Sequence, residues 1–290
     1  MVQLIHMAKS QRGGRIVGTA TFRTACLARS SEYHADWRIH KTLQSGNSAV
    51  NGFSHVGLAN LYETPVIVKL MTNELKARRE IAAAEFFRLH PHVNVVQGFC
   101  EYKCNDHEIR WKKDVILPKR FCKASLKRGN RSDRFTVIVQ EYIPGGDLQG
   151  VTWNKRVWKS VFLQLTFAVI EWWSQGFVYE DWHLGNVLHD KTDGEERSHT
   201  YSALGRQWKV NLHGIIPVIT DFSISKLAAN DNISPSDLAL SLGEVWYMLY
   251  DEGPDAYKTV LTVAYNEVSK MKNVTEILNM VDKTVATLAS

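Results

Sequence analysis

The hydrophobic pattern of the first half of the chain predicts strands and one helix. Residues 51–70 (NGFSHVGLANLYETPVIVKL) predict two strands around a turn, because apolar positions lead into the β-branched run VIVKL. Residues 74–90 are rich in Ala, Glu, Arg and Leu, which favours a helix, and Pro91 marks its end. The run FTVIVQEYI (residues 135–143) predicts a buried strand, and PGGDL after it predicts a turn that enters a helix.

Helical spacing dominates the second half. Apolar side chains recur at helical intervals through residues 153–173, which predicts a fully packed helix. The run IIPVITDFSI (residues 215–224) predicts a further strand, and residues 237–250 predict another helix. Because strands are concentrated before about Tyr142 and helices after it, we predict an α+β fold with two lobes joined near residues 141–146.

The composition is that of an ordinary globular protein. The chain has 290 residues, of which 44% are hydrophobic and 22% are charged. No apolar run approaches the roughly 18 to 20 residues of a membrane helix, and the N-terminal sequence lacks the apolar segment of a secretory signal. We therefore expect an intracellular, soluble protein with no membrane contact.

The four cysteines are too few and too scattered for a disulfide framework, which favours a reducing compartment. A zinc site is the weaker interpretation, because the C-x3-C spacing is not that of a standard zinc knuckle. Its ligands would be Cys100, Cys104, His107 and Cys122.

The net charge of +5 is concentrated in one segment. Residues 101–134, here called the basic segment, hold eleven basic and five acidic residues. The segment is either a solvated insertion or a surface for an acidic partner such as nucleic acid. We expect residues 1–45 to form a basic arm packed on the first lobe, residues 46–143 to form that lobe with the basic segment inserted, and residues 144–290 to form the second lobe.

Small residues and a strand lysine in the first half could contact phosphates. Lys69 ends an apolar strand, where an unpaired charge would be costly to bury, and Glu80 is its expected partner, with Glu85 as second choice. The alternative is an exposed lysine and a solvated helix face. Upstream, the segment GFSHVGLA carries small residues that would let backbone N–H groups approach phosphates: Gly52, Ser54 and Gly57.

Oxygen-bearing side chains recur at kinase-like spacing in the second half. The loop DWHLGN places Asp181 five residues before Asn186, and Asp221 follows the apolar run VIT forty residues after Asp181. An Asp at a strand end can simply cap a turn. Phosphoryl transfer, however, needs a carboxylate that orients the attacking hydroxyl and oxygen ligands for divalent metal. Asp181 would take the first role, and Asn186 and Asp221 the second.

Taken in order, these motifs resemble a eukaryotic-type protein kinase, and most closely the haspin family of atypical kinases. The similarity covers about residues 52–250 and is carried by VIVK, EYIPGGDL, DWHLGNVL and VITDFSISKL. It implies a two-lobed kinase fold with a β-rich N-terminal lobe and a compact, mainly helical C-terminal lobe, and ATP and Mg²⁺ as cofactors. It also implies nucleotide contacts from Gln140 at the gatekeeper position, from Glu141 and Tyr142 in the hinge, and from Asp147 near the ribose.

The sequence departs from ordinary kinases around the catalytic loop. Glu180 stands where H-R-D has Arg, and Ser223 stands where D-F-G has Gly. Only sixteen residues separate Asp221 from Asp237, which resembles the Asp of the helix that anchors the catalytic loop, and no A-P-E motif occurs. We therefore expect no control by phosphorylation of an activation loop.

The preferred function is an ATP-dependent Ser/Thr protein kinase of haspin-like type. The resemblance implies a protein substrate, the N-terminal tail of a histone with Thr as acceptor, and the basic segment is compatible with contact to nucleic acid or chromatin. The expected compartment is the nucleus or the cytoplasm, in a host cell if the source is viral.

Two other functions stay open. One is a small-molecule kinase of the aminoglycoside or choline type, whose H-x-D-x-H-x-G-N loop is close to YEDWHLGN. The other is a pseudokinase that binds partners on a kinase fold. The presence of all four expected site residues argues against the pseudokinase: Lys69, Asp181, Asn186 and Asp221.

Overall fold

A computed structural model gives the protein as two compact units, Met1–Tyr142 and Ile143–Ser290. The residues that the structure describes are 37–48, 52–61, 64–87, 90–94, 96–103, 134–192, 197–229 and 231–289. Residues 1–36 of the expected basic arm lie outside these ranges. So do residues 104–133 of the basic segment, and with them three of the four candidate zinc ligands.

The first unit contains a five-stranded antiparallel sheet with the strand order β1-β2-β3-β5-β4. The two strands predicted around residues 51–70 and the strand predicted at residues 135–143 are confirmed. Residues 37–45, expected in the basic arm, belong to β1. The strands are β1 (Trp37–Ser48), β2 (Gly52–Leu61), β3 (Thr64–Met71), β4 (Val96–Lys103) and β5 (Arg134–Glu141).

Helix α1 (Glu74–Phe86) follows β3 and covers one face of this sheet. Asn73 caps its start, because the side-chain oxygen accepts a hydrogen bond of 3.1 Å from the backbone N–H of Lys76. The predicted end near His90 is wrong. The helix stops at Phe86, and the carbonyl of Phe87 accepts a 2.7 Å bond from the N–H of His90 in a turn. Pro91 therefore follows a turn and not the helix itself.

The buried side of α1 and the sheet share one apolar cluster. Because side chains alternate along a strand, Lys69 and Met71 of β3 face the same side. That side is the one covered by the helix. The cluster consists of Met71, Ala77, Ile81, Ala84, Val96 and Ile138, with Phe99 packed against it.

Four helices build much of the second unit. The two helices predicted at residues 153–173 and 237–250 are confirmed within two residues at each end. They are α2 (Lys155–Ser174) and α3 (Pro235–Met248), followed by α4 (Asp255–Val268) and α5 (Val274–Ala289). Within the described ranges, no helix is both long enough and apolar enough to cross a bilayer.

Helix α2 is the centre of the core in the second unit. Asn154 caps its start by accepting bonds from two backbone N–H groups. Trp158 is fully buried, stacks on Phe162 and donates a 2.9 Å bond from Nε1 to the carbonyl of Leu249 at the end of α3. The indole thus contributes apolar contact and has its single donor satisfied, as buried Trp requires.

Three antiparallel strand pairs complete the second unit, which makes the protein a mixed α+β chain. The first two pairs, β6 with β11 and β7 with β10, flank the candidate site. The third, β8 with β9, forms a hairpin that the sequence did not predict. The strands are β6 (Phe177–Tyr179), β7 (Val187–Lys191), β8 (Ser198–Ala203), β9 (Arg206–Asn211), β10 (Ile215–Ile219) and β11 (Ser225–Leu227).

The sequence predicts that the turn PGGDL enters a helix, but the turn does not lead directly into a long helix. It leads into one 3-10 turn, Leu148–Gly150, capped by the Asp147 side chain. Val151 is then extended, and α2 starts only at Lys155. The reason is local. Asp147 caps the 3-10 turn and Asn154 caps α2, so the chain forms two separate helical segments here.

Candidate functional site

Strand β3 and helix α1 bury an ion pair in the first unit. Lys69 Nζ lies 2.7 Å from Glu80 Oε2, and the two residues are 4% and 0% exposed. Gln140 Nε2 on β5 donates a 2.9 Å hydrogen bond to the other oxygen, Glu80 Oε1. The pairing of Lys69 with Glu80, predicted from the sequence, is confirmed.

This arrangement follows from the register of the sheet. Lys69 stands opposite Ile138, and Gln140 lies two residues further along β5, so both side chains reach the face covered by α1. Glu80 lies among the buried positions of that helix. A carboxylate buried here without a cation would cost several kcal/mol. Lys69 and Gln140 each satisfy one of its oxygens.

The small-residue segment does not form a flexible loop. Gly52, Ser54 and Gly57 all lie within β2, where Ser54 pairs with Gly46 and Met71, and Gly57 pairs with Thr42 and Val68. A strand with neighbours on both sides uses its backbone groups in the sheet, so they are not free to cradle phosphates along its length. Only Gly52, at the hairpin end and opposite Ser48, keeps the expected location.

Val56, which no sequence motif indicates, stands directly opposite Lys69 across the β2–β3 pair. Directly opposed residues project to the same face of a sheet. Val56 therefore shares the face of the lysine. Its position follows from the register of β2 against β3, which the sequence alone does not give.

The other residues expected to contact the nucleotide are Glu141, Tyr142 and Asp147. Glu141 is the last residue of β5 and pairs with Val66, and Tyr142 is half-buried. In the second unit, Asp147 Oδ1 accepts a 3.1 Å bond from the N–H of Gln149. Its carboxylate therefore already has a structural role as a cap, and only its remaining acceptor capacity could serve a ribose.

Asn186 organises the loop that contains Asp181. Its Nδ2 donates to the Asp181 backbone oxygen at 3.1 Å and to Asp181 Oδ2 at 2.9 Å. The 3-10 turn Leu184–Asn186 makes this possible, because it brings the amide back toward a residue five positions earlier. With Nδ2 used in this way, the oxygens left for a ligand are Oδ1 of Asn186 and Oδ1 of Asp181.

The pairing of β7 with β10 brings Asp221 to the same place. Val187 opens β7 directly after Asn186, and it stands opposite Ile219, the last residue of β10. The N–H of Thr220 donates a 3.0 Å bond to the carbonyl of Asn186. The structure thus brings together three residues that the sequence separates by up to forty positions.

Asp221 has a strained backbone. Its φ is 59°, in the left-handed region that non-glycine residues rarely adopt. Such a conformation costs of order 1–3 kcal/mol and persists where the surroundings hold it. Here the carbonyl of Thr220 accepts a 3.0 Å bond from the Tyr179 hydroxyl on one side, and Phe222 is fully buried on the other.

Phe222 lies in an aromatic cage. Its ring contacts those of Tyr179, Phe177 and Trp172 at centroid distances of 5.4, 6.0 and 6.3 Å, all in edge-on orientations. Edge-to-face contacts of this kind are favourable beyond the area they bury. The cage holds the residue next to Asp221 and so supports the backbone conformation of Asp221.

Lys226, which was not predicted as a site residue, lies beside the loop that contains Asp181. Lys226 Nζ on β11 is 2.6 Å from Glu180 Oε1 and 2.8 Å from Asp237 Oδ1. Hydrogen bonds to Asp237 and then to Glu180 raise the pKa of Lys226 above its ordinary value. Burial alone would raise the pKa of Asp237, but bonds from Lys226 and Ser234 hold it below its usual value. Bonds to both carboxylates thus favour the charged form of Lys226, and bonds from Lys226 and Ser234 favour the charged form of Asp237.

Negative charge also collects beside Asp181. The pKa of Glu244 on α3 is raised by desolvation of the Glu244 carboxyl group, and then by the charges of Glu180 and Asp181. A raised carboxyl pKa of this origin indicates nearby carboxylates that repel one another. Glu180, Asp181 and Glu244 therefore form a group of neighbouring acidic side chains, of which Lys226 contacts Glu180.

The donors at the end of β7 and β10 suit magnesium. In the described part of the chain, no three His, Cys, Asp or Glu side chains are grouped as a metal site. Magnesium in nucleotide enzymes, however, takes one or two protein oxygens and completes its shell with phosphates and water. The Asn186 amide oxygen and the Asp221 carboxylate are hard oxygen ligands of that kind.

No family model matches the chain, and no curated protein matches it. Roles for these residues are therefore inferred from their chemistry, their distances and the resemblance of their motifs.

The burial of Glu80 predicts a large loss of stability when its charge is removed. Glu80→Gln keeps the shape of the side chain but leaves Lys69 without its counter-charge, so we expect the free energy of unfolding to fall by about 3 to 5 kcal/mol. Glu85→Gln, on the exposed side of the same helix, is the matched control and should change it by less than about 0.5 kcal/mol. Urea unfolding followed by circular dichroism measures both. A larger loss at Glu85 than at Glu80 would contradict the assigned pair.

Proposed function

We propose that the protein is an ATP-dependent phosphotransferase of the two-lobed kinase type, similar to the haspin-like Ser/Thr protein kinases. The observation that supports this most is the grouping of Asp181, Asn186 and Asp221 through the Asn186 side-chain bonds and the bond from Thr220 to Asn186. It supplies a carboxylate for a hydroxyl and two oxygen ligands for a metal ion. Phosphoryl transfer needs these parts in this proximity.

In the proposed reaction Asp181 acts on the acceptor hydroxyl. Asn186 holds Asp181 Oδ2, which leaves Oδ1 to accept the hydroxyl hydrogen bond. The hydroxyl oxygen forms a bond to the γ-phosphorus as the bond from that phosphorus to the β–γ bridging oxygen breaks. The electron pair leaves with ADP, and the hydroxyl proton passes to the Asp181 carboxylate.

Asn186 Oδ1 and Asp221 are the residues that would hold Mg²⁺. A bound Mg²⁺ ion neutralises charge on the β- and γ-phosphates. The bond from Thr220 to the Asn186 carbonyl and the buried ring of Phe222 hold the backbone on both sides of Asp221. Preorganisation of this kind lowers the cost of binding, because less order has to be created when the ligand arrives.

Lys69 would contact the nucleotide phosphates, since its Nζ has donors beyond the one given to Glu80. Glu80 and Gln140 act through it as positioning residues. Because the Gln140 side chain is bonded to Glu80, any contact of the hinge with the base would come from the backbone near Glu141 and Tyr142.

The acceptor is expected to carry positive charge. The carboxylates of Glu180 and Glu244 beside Asp181 favour a cationic molecule. A basic peptide such as a histone tail fits this requirement, and so does an aminoglycoside. The negative surroundings therefore support a second candidate, a small-molecule kinase, as well as the protein kinase.

Transfer of labelled phosphate tests the proposal. The purified chain is incubated with γ-labelled ATP and Mg²⁺ together with histones, casein, choline or aminoglycosides. Labelled histone is the expected result, and label on an aminoglycoside or choline alone would assign the small-molecule reaction. Absence of label on all of them, with ATP still bound, would leave a binding module and refute the enzyme.

Asp181 is expected to be required for transfer but not for nucleotide binding. Asp181→Asn removes the proton acceptor while keeping the shape of the side chain, so kcat should fall by about 10² to 10⁴-fold with ATP affinity nearly unchanged. Asp255→Asn, whose carboxylate is 97% exposed on α4, is the control and should keep full activity. Initial rates and equilibrium ATP titrations provide the two readouts. An Asp181→Asn variant with normal turnover would exclude this residue as the base.

A further inference from the structure

A single lysine joins three elements around the catalytic loop. Lys226 lies on β11, Glu180 directly precedes Asp181, and Asp237 lies in the first turn of α3. Its ammonium group contacts both carboxylates, at 2.6 Å and 2.8 Å. The side chains are only partly exposed, 31% for Lys226, 35% for Glu180 and 14% for Asp237, so solvent screens these pairs incompletely.

The backbone sets up this contact. Strand β11 pairs with β6, with Lys226 opposite Val178, and the N–H of Glu180 donates a 3.2 Å bond to the carbonyl of Ile224. Glu180 and Lys226 are thereby carried on two connected strands. The backbone bonds therefore hold Glu180 and Lys226 close to each other independently of their side chains.

Helix α3 holds the third group. The N–H and the hydroxyl of Ser234 each donate a 2.7 Å bond to Asp237 Oδ2, while Asp237 Oδ1 accepts from Lys226. In addition, Ser241 Oγ on α3 donates to the carbonyl of Tyr179 at 3.0 Å. Without a cation between them, the charges of Glu180 and Asp237 would repel and push the catalytic loop away from α3.

Three of the four hydroxyl-bearing residues between Asp221 and Asp237 are buried or hydrogen-bonded, and the fourth, Ser236, is half-buried. Ser225 is 2% exposed and donates to the carbonyl of Phe222, Ser223 is 7% exposed, and Ser234 is used in the cap of α3. A phosphate on Ser225 or Ser234 would break these bonds, and near Glu180 it would meet like charge. The usual device, in which a phosphate on the segment is held by an Arg beside the catalytic Asp, lacks its Arg here, because Glu180 stands in that place.

We propose that Lys226 is a positioning residue for Asp181, and that its bonds to Glu180 and Asp237 hold the catalytic loop, β11 and α3 in the active arrangement without any phosphate. The role rests on the proposed function. It inverts the charges of the conventional switch: the loop supplies the anion, and the segment that follows Asp221 supplies a permanent cation. A contact between side chains that the fold already brings together does not need a modifying enzyme to form it.

Variants of both partners test the proposal. Lys226→Met removes the charge and keeps the length, and we expect kcat to fall by about 10- to 100-fold, since a misplaced catalytic group costs rate of this order. KM for ATP should change by less than about threefold. Lys226→Arg restores the cation and should recover most of the lost rate. Lys258→Met, which breaks an exposed pair with Asp255 on α4, is the control and should match the wild type.

A double-mutant cycle separates this role from general destabilisation. If Lys226 acts through Glu180, then Glu180→Gln alone lowers kcat, and adding it to Lys226→Met lowers kcat little further. Fully additive losses would contradict a role through Glu180. So would wild-type kcat in Lys226→Met, or an Arg variant as slow as the Met variant. Should Lys226→Met fail to fold, Glu180→Gln breaks the same link and keeps the bond from Lys226 to Asp237.

Phosphatase treatment tests the absence of a switch. The treated wild-type enzyme should transfer phosphate as fast as untreated enzyme. A loss of more than about tenfold, far outside assay error, would show that a phosphate is needed and overturn the proposal.

Amide hydrogen exchange gives a readout that does not require activity. In Lys226→Met the amide of Glu180, bonded to Ile224, should exchange faster, while amides in α5 should not change. If the wild type transfers phosphate to no acceptor, the proposed function fails, and this exchange measurement still decides whether Lys226 orders the loop. Unchanged exchange at Glu180 would overturn the positioning role.

Discussion

Charge compensation away from bulk water is the constraint on which both groups of site residues depend. In the first unit the carboxyl group of Glu80 is fully buried, and Lys69 and Gln140 each bond to one of its oxygens. In the second unit Glu180 and Asp237 can stand on neighbouring elements because Lys226 lies between them. In each case the charges that position a candidate catalytic group also restrict the packing around it.

Antiparallel strand pairing then brings the chemistry together. The start of β7 and the end of β10 meet, which sets Asn186 beside Thr220 and Asp221. The pair of β6 with β11 carries Glu180 and Lys226 toward each other in the same way. The buried ring of Phe222, three residues after the end of β10, packs against Tyr179 of β6 and against Trp172. Rigid surroundings of this kind explain how a non-glycine residue keeps a left-handed backbone.

The sequence predicts the parts of the site whose signal is local. Asp181 and Asn186 are five residues apart, a spacing that one 3-10 turn closes into a hydrogen bond. The partner of Lys69 could be predicted because a buried strand lysine needs an anion and the following helix offers few acids. The long helices were predictable from their apolar periodicity.

Features set by register or by distant contacts could not be predicted. Gly52 and Gly57 match a loop pattern, but both lie within β2, where Gly52 pairs with Ser48 and Gly57 pairs with strands on both sides. The turn of the β8–β9 hairpin uses Leu204 and Gly205 at φ values of 53° and 76°, and a leucine is an uncommon choice for that conformation, so the turn signal was weak. Lys226 had no motif of its own. Its importance follows from Glu180, because an acid in the place of the usual Arg requires a cation nearby.

Equilibrium ATP binding at varied Mg²⁺ concentration tests most directly whether Asn186 and Asp221 form a magnesium-dependent nucleotide site. We expect Mg²⁺ to tighten ATP binding to the wild type by at least about tenfold, which corresponds to roughly 1.4 kcal/mol. The same titration with Asp221→Asn should show most of that enhancement lost, and with Asp255→Asn, on the exposed side of α4, it should be unchanged. ATP binding that ignores Mg²⁺ in the wild type, or an Asp221→Asn variant with the full enhancement, would contradict the claim.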